Sequence, residues 1–275
     1  MNYSLNTGVI RVTGPTEDVL RMTAKAGFTH VHWCHHWCDD FVYSEPEIEE
    51  IARQLAQNGL KLANTHGSAG AEKCWFSPRR SCRLAGVELI KNRVALTARL
   101  GGDCVVMHGP EAFQPKEKFE AQRSAMEASL DELEDDCHDC GIRLALENFS
   151  RAMDYERLLP PTIEARSPEY LGFCYDSGHH NIDVVPEERG RKNDIRDRLA
   201  ERLLVVHISD NNGYEDNHWL PFTGTMDWAD VRHFLHLAHY EKPLTLELSF
   251  PRSDVPTPEA FIRKAYAAAV RLQKS

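Results

Sequence analysis

The sequence predicts a single (β/α)₈ barrel, and three observations predict it. Short apolar strands alternate strictly with helical patterns from one end of the chain to the other. That alternation gives eight strands and about eight helices in 275 residues, roughly the length one barrel needs. Titratable residues recur where the apolar runs stop, and in such barrels the strand ends carry the chemistry. One domain over 1–275 is expected, because no linker or low-complexity tract interrupts the pattern. A doubly wound open sheet is the rival architecture, but no G-x-G-x-x-G follows the first strand.

The elements follow in order. Tyr3–Thr7 is a weak first strand, and Thr16–Ala26 a helix with Val19, Met22 and Ala26 on one face. Thr29–Trp33 is the second strand. Glu45–Asn58 is the clearest helix, because Ile48, Ile51, Ala52, Leu55 and Ala56 form one stripe, and Gly59 ends it. Lys61–His66 is strand three, Arg83–Leu100 a helix stopped by Gly101-Gly102, and Asp103–His108 strand four. The long helix Pro115–Cys140 turns Phe119, Met126, Leu130, Leu133 and Cys137 inward and ends at Gly141, before strand five, Ile142–Asn148. Tyr155–Glu169 is only partly helical, given Pro160-Pro161. Tyr170–Asp176 is strand six. Pro186–Arg202 is a charge-laced helix, most of whose charges read as a solvated face. Leu203–Ser209 is strand seven, and Asp227–Tyr240 a helix aligning Trp228, Val231, Phe234, Leu235 and Ala238. Pro243–Ser249 is strand eight, and the helix Pro258–Lys274 closes the chain.

Composition narrows the function classes. A formal net charge of −10 disfavours a nucleic-acid partner, since phosphate binding wants a basic surface. No run of about 18 apolar residues is present, so no membrane helix is expected. The N-terminus, MNYSLNTGVI, lacks a basic region followed by an apolar core, so no signal peptide is expected. A cytoplasmic protein with reduced thiols is therefore expected from the eight cysteines, with Cys104 and Cys174 buried in strands. Cys137-x-x-Cys140 sits at a helix end and reads as packing rather than redox.

The strand ends carry the candidate site. Strand three ends at His66 and strand four at His108. Strand five ends at Glu147-Asn148, and strand six at Asp176, followed by His179. Strand seven ends at His207 and strand eight at Glu247. Glu147 shares parity with Arg143 and Ala145, opposite the apolar row Ile142, Leu144 and Leu146, and Glu247 shares parity with Thr245. Both glutamates thus point to the barrel mouth. Converging carboxylates need a counter-charge, or their pKa values rise and they neutralise. Two Glu, one Asp and one His make a mixed oxygen and nitrogen set that suits one Mn²⁺, Co²⁺, Mg²⁺ or Zn²⁺. Taken singly, each such residue is more often a structural ion pair or a satisfied core histidine; six at successive strand ends are harder to read that way. His180 reads as a neighbour rather than a ligand. The segment His30–Cys38, HVHWCHHWC, matches no zinc-finger spacing. It reads as a substrate wall, with Trp33 or Trp37 stacking on a sugar ring and Trp33 the first choice.

These motifs resemble the xylose-isomerase-like barrel superfamily, which holds sugar phosphate isomerases and epimerases, inosose-processing enzymes and apurinic-site endonucleases. The resemblance rests on LENFS at 146–150, CYDSGHH at 174–180, VVHISDNNGYEDNHWLPFTGTMDW at 205–228 and LELS at 246–249, and it covers nearly the whole chain. Similarity to the ketose epimerases implies one metal held by Glu147, Asp176, His207 and Glu247, with Glu147 and Glu247 as the acid/base pair and His179 against substrate. Those epimerases carry an Arg shortly after the strand-seven His, where this chain has Asn211-Asn212-Gly213. Similarity to the endonucleases implies a three-zinc set that adds His66, His108, His179, Asp216 and His218, so a second or third metal is an open alternative. Many isomerase-like members carry L-P-G-E-G-x-x-D-W, and here Gly-Glu-Gly is replaced by Phe222-Thr223-Gly224, which is expected to change the pocket floor.

The resulting expectation is a divalent-metal-dependent isomerase or epimerase of a sugar, sugar phosphate or keto-polyol. It would move a proton through a metal-stabilised enediolate with two Glu. The alternatives are a multi-zinc phosphodiester hydrolase, or a keto-sugar or keto-inositol lyase or dehydratase on the same site; a non-catalytic binding barrel fits the intact carboxylate set poorly. A small-molecule carbohydrate is the expected partner, and a homo-oligomer is compatible with the sequence.

Overall fold

Eight parallel strands close into a barrel in sequence order, with β1 pairing both β2 and β8. The computed structural model describes residues 2–68, 70–182 and 186–274. The strands are β1 Tyr3–Asn6, β2 His30–Trp33, β3 Lys61–His66, β4 Cys104–Met107, β5 Arg143–Glu147, β6 Leu171–Asp176, β7 Leu203–Ile208 and β8 Leu244–Leu246. The helices between and after them are α1 Glu17–Ala26, α2 Glu45–Gln57, α3 Arg80–Arg99, α4 Lys116–Cys140, α5 Ala152–Arg157, α6 Leu159–Ile163, α7 Ser177–Asn181, α8 Pro186–Arg198, α9 Trp228–Leu237 and α10 Pro258–Lys274. None of the described helices is long and apolar enough to cross a membrane.

Strand alternation sorts side chains into two layers. Val105, Met107, Leu144, Leu146 and Phe173 face outward and are buried with Ile90, Val94, Phe119, Met126, Leu130 and Phe234 of the helices. Each such side chain, fully buried, contributes about 1.5–3 kcal/mol. The inward row is made of smaller residues: Cys104, Val106, Ala145, Cys174 and Val205 form a separate cluster inside the barrel. Small side chains fit there because an eight-stranded barrel has little internal room. Two residues further along each of three strands, the inward row turns polar. Ala145 gives way to Glu147, Cys174 to Asp176 and Val205 to His207. That change marks the floor of the site.

Local signals set the helix ends. Ser44 and Glu47 form a capping box at the start of α2, with Glu47 Oε2 accepting from Ser44 N at 2.7 Å. Gly141 ends α4 at a φ of 65°, in the left-handed region that other residues rarely adopt. Pro160-Pro161 splits the β5–β6 connection into α5 and α6. β8 is shorter than expected because the Asn6 side chain replaces the ladder at its end: its Oδ1 accepts from Leu248 N at 3.0 Å and its Nδ2 donates to Leu248 O at 3.1 Å.

The solvated-face reading of the sixth connection holds for most of its charges, with two exceptions. In α8 the Lys192 side chain is fully buried, and Arg196 is 1% exposed. Lys192 Nζ donates to the carbonyls of Ser150, His180 and Ile182 at 2.7–3.0 Å, tying down the C-terminal end of α7. None of the eight cysteines is disulfide-bonded; Cys137 packs in the core and Cys140 is exposed.

Candidate metal centre and active site

Glu147, Asp176 and His207 lie at the ends of β5, β6 and β7 and Glu247 directly follows β8, and each brings one ligand atom to within 4.8 Å of the others. His207 Nδ1 lies 3.4 Å from Glu147 Oε2, 3.9 Å from Asp176 Oδ2 and 3.2 Å from Glu247 Oε2. Local chemistry aims these groups. Asp176 is the N-cap of α7: its Oδ1 accepts from His179 N at 2.6 Å, which leaves Oδ2 turned to the centre. Asn148 bridges the ends of β5 and β6, accepting from Asp176 N at 2.8 Å and donating to Asp176 O at 3.0 Å. The spacing between Glu147 and Asp176 is thereby held by backbone as well as by packing.

The electrostatics fit a bound cation. Both oxygens of Glu147, Asp176 Oδ2 and both nitrogens of His207 are buried without a hydrogen-bond partner among the described residues. Buried polar atoms are normally satisfied, and three carboxylates around one imidazole carry excess negative charge. Burial pushes the Asp176 carboxyl up to about 6, with His179 opposing and the Glu147 and Glu247 carboxylates adding to the rise. Burial also opposes ionisation of Glu147 and Glu247, but His207 overcomes it, and both stay well below the usual carboxylate range. The set of oxygen and nitrogen donors suits a divalent ion.

Two further groups surround this set. His66 Nε2 and His108 Nε2 lie 3.7 and 3.2 Å from Glu147 Oε2, and these three residues also gather ligand atoms within 4.8 Å. His66 Nδ1 sits 2.7 Å from Gly67 O, so it donates there and leaves Nε2 as a lone-pair donor. Burial and the nearby His108 push His66 down to about 4, which keeps it neutral. On the other side, His218 Nε2 lies 2.7 Å and His179 Nε2 3.7 Å from Asp216 Oδ2. His179 Nδ1 donates to Asn148 O at 2.9 Å, and His218 Nδ1 to Glu247 O at 3.0 Å. Burial disfavours charge on His218, but the Asp216 bond lifts it to about 9. His218 adopts φ 51°, a left-handed conformation that costs a non-glycine residue strain.

The loop carrying Asp216 and His218 is organised by Asp210, which sequence reasoning did not single out. Asp210 Oδ1 accepts from Asn211 N and Met226 N, and Oδ2 from Thr223 N and Gly224 N, at 2.9–3.1 Å. A Cβ on Gly224 would sit 2.1 Å from Asn211 O, so the turn closes only on glycine. Of the Phe222-Thr223-Gly224 replacement, the phenylalanine itself is turned away from the cavity. Phe222 packs on Trp228 at 4.9 Å, with the Arg271 guanidinium 3.9 Å over its ring, and it does not line the mouth.

Above the cluster opens a cavity of about 320 Å³, lined by His66, His108, Glu147, His179, Asp216, His218 and Glu247. Its aromatic wall is Trp37, 5.1 Å from the His66 ring and 5.8 Å from the His108 ring. Trp33, the first choice from the sequence, is corrected here. It faces the outer layer, is 2% exposed, and donates from Nε1 to Tyr43 Oη at 2.8 Å. Strand parity explains this, because His32 takes the inward direction and the next residue must point out. His32 is buried 4.6 Å from the His207 ring, below the cluster, and burial pushes it down to about 3. His180 is a neighbour: Tyr155 Oη at 2.8 Å and Asn193 Oδ1 at 2.7 Å occupy its two nitrogens. Asn148, His32 and Asp210 lie inside the quoted stretches, but their bracing and packing roles depend on hydrogen-bond partners and neighbouring rings in other elements, which one sequence does not show.

Comparison with known proteins agrees with this architecture. A family model described as a xylose isomerase-like TIM barrel matches residues 20–269. The uncharacterised protein y4fM of Sinorhizobium fredii is 30% identical over 278 residues, spanning 93% of this chain and 88% of its own. A D-psicose 3-epimerase crystallised in the presence of D-fructose superposes with a TM-score of 0.77 at 17% identity, over 98% of both chains. An Escherichia coli 3-keto-D-glucoside 4-epimerase gives a TM-score of 0.72 at 17% identity, over 99% of this chain and 98% of that one. At such identities the structural likeness speaks for the fold alone. The family match spans most of the chain, and the chain belongs to the xylose isomerase-like TIM barrel family.

Proposed function

We propose that the chain is a divalent-metal-dependent isomerase or epimerase of a small polyhydroxy carbonyl compound, a sugar, sugar phosphate or keto-polyol. One observation carries this reading. Two glutamates from strands on either side of β6 and β7 converge on the same His207 nitrogen, Glu147 at 3.4 Å and Glu247 at 3.2 Å. Glu147, Asp176, His207 and Glu247 would hold one Mn²⁺, Co²⁺, Mg²⁺ or Zn²⁺. When bound, such an ion supplies Lewis-acid polarisation of adjacent carbonyl and hydroxyl oxygens. The side chains do the rest. One glutamate takes the proton from the carbon beside the carbonyl, and the other returns a proton on the opposite face. Return to the same carbon inverts its configuration; return to the former carbonyl carbon, with the neighbouring hydroxyl proton passing to the former carbonyl oxygen, moves the carbonyl. His66, His108 and His179 meet substrate hydroxyls, and Trp37 offers an apolar face for a sugar ring. The sugar epimerases that share the fold support this choice of substrate.

A second reading is a multi-zinc phosphodiester hydrolase, favoured by the flanking sets His66–His108–Glu147 and His179–Asp216–His218. The net charge of −10 opposes a nucleic-acid substrate. A lyase or dehydratase would share the proton abstraction and differ in losing a hydroxyl afterwards. Metal analysis by mass spectrometry and solvent deuterium uptake into a ketose test the choice. About one ion per chain is expected, with deuterium at the carbon beside the carbonyl and no elimination product. Glu147→Gln and Glu247→Gln are each expected to slow the uptake by about 10²–10⁴-fold. Three zincs per chain and nicking of abasic DNA would overturn the isomerase reading.

A further inference from the structure

The cavity is electrostatically lopsided. Its deep wall carries Glu147, Glu247 and Asp216 with their histidines. On the lip past β8, Arg252 is the one lysine or arginine among the described residues that line the mouth. Its place is built rather than incidental. Residues Phe250–Arg252 form a short 3₁₀ turn. Ser249 N donates to His218 O at 3.0 Å, Phe250 N to Val9 O at 2.8 Å, and Arg252 N to Ser249 O at 3.2 Å. The turn is therefore tied to both neighbouring loops. Arg252 Nη1 donates to the main-chain carbonyl of Asp216, which steadies the guanidinium while leaving its other N–H groups for a ligand. The Asp216 carboxylate is itself engaged by His218 and His179.

We infer that Arg252 recognises an anionic group, a carboxylate or a phosphate, at the end of the substrate remote from the reacting carbon. This rests on the polyhydroxy carbonyl reading of the site. A negative end is drawn to the guanidinium at the lip, so Arg252 also sets which end of the molecule enters first. A guanidinium suits either oxyanion, because its planar fork pairs with two oxygens at once. One arginine is too little for a nucleic-acid backbone, which needs many phosphate contacts, and it matches a small molecule with a single charged terminus.

Calorimetric binding to Mn²⁺-loaded protein tests this with three ligands that differ only at carbon six: D-fructose, D-fructuronate and D-fructose 6-phosphate. At least one of the two anions is expected to bind about ten- to a hundredfold more tightly than fructose, the range of a hydrogen bond to a charged group. The tighter of the two identifies carboxylate or phosphate as the natural end. Arg252→Gln is expected to collapse the ratio of anion to fructose affinity, and Arg252→Lys to restore part of it. A merely structural arginine would shift all three affinities together and leave the ratio intact. Equal affinity for all three ligands, or a ratio that survives in Arg252→Gln, overturns the role of Arg252 while leaving the polyhydroxy carbonyl reading in place. No binding by any of the three overturns both.

Discussion

Trp33 and Trp37 lie one helical turn apart in sequence, yet they have opposite duties. Trp33 points outward from β2 into the layer formed with Ile48, Ile51 and Leu55, whereas Trp37 sits past the strand on the cavity wall. Replacing each with alanine separates the two. Trp37→Ala is expected to raise the KM for a sugar substrate about tenfold with little loss of stability, since an aromatic face is worth about 0.5–1.5 kcal/mol beyond its area. Trp33→Ala is expected to destabilise the fold by about 3–5 kcal/mol, as other buried aromatic deletions do. Chemical denaturation and steady-state kinetics on the two variants check this, and the reverse pattern would contradict the orientation of β2. Asn148 shows the same dependence on position. Its amide touches none of the cluster's ligand atoms, but it spaces two of the ligand-bearing strands.

At the scale of elements, the helix α8 shows how little charge pattern alone says about burial. Its Arg196 lies under α9, with Nη1 donating to Asp230 Oδ2 at 2.5 Å and Nη2 to Oδ1 at 3.1 Å. Its guanidinium carbon stands 4.7 Å from the Phe234 ring centre. Such a bidentate pair is stable only when both partners are present, because a buried charge without its partner is costly. Asp230→Ala leaves Arg196 with Asp197 alone, and a loss of about 2–4 kcal/mol is expected from urea titration. A change below about 0.5 kcal/mol would mean the guanidinium finds water instead. The strand–helix alternation was enough to expect a helix at α8. Which of its cations turn inward depended on the last carbonyls of α7 for Lys192 and on Asp230 of α9 for Arg196, demands set by other elements.

For the whole molecule, the proposed metal binding would be coupled to the stability of the barrel. Without a cation, Glu147, Asp176 and Glu247 crowd one buried centre, and binding to the folded state alone adds RT ln(1 + [L]/Kd) to its stability. At a free ion level of about 100 Kd this is about 2.7 kcal/mol, and for a chain of this size that corresponds to about 5 °C or more in Tm. Chelation with EDTA is expected to lower the Tm by that amount, and Mn²⁺ to restore it in a concentration-dependent way. A Tm indifferent to both would argue that the four groups hold no ion. The alternation of strands and helices, and the inward parity of Glu147, were legible from the sequence because hydrophobic period and strand parity are local properties. The carboxylates and imidazoles at the strand ends were legible for the same reason: once eight strands close in order, their ends must meet at one mouth. The direction of Trp33, the burial of Lys192 and Arg196, the Asp210 brace under the Phe222–Gly224 turn and the solitary Arg252 at the lip were decided only by the tertiary structure. Each depends on what a neighbouring element presents at that point, and a linear sequence does not state which elements are neighbours or how closely they approach.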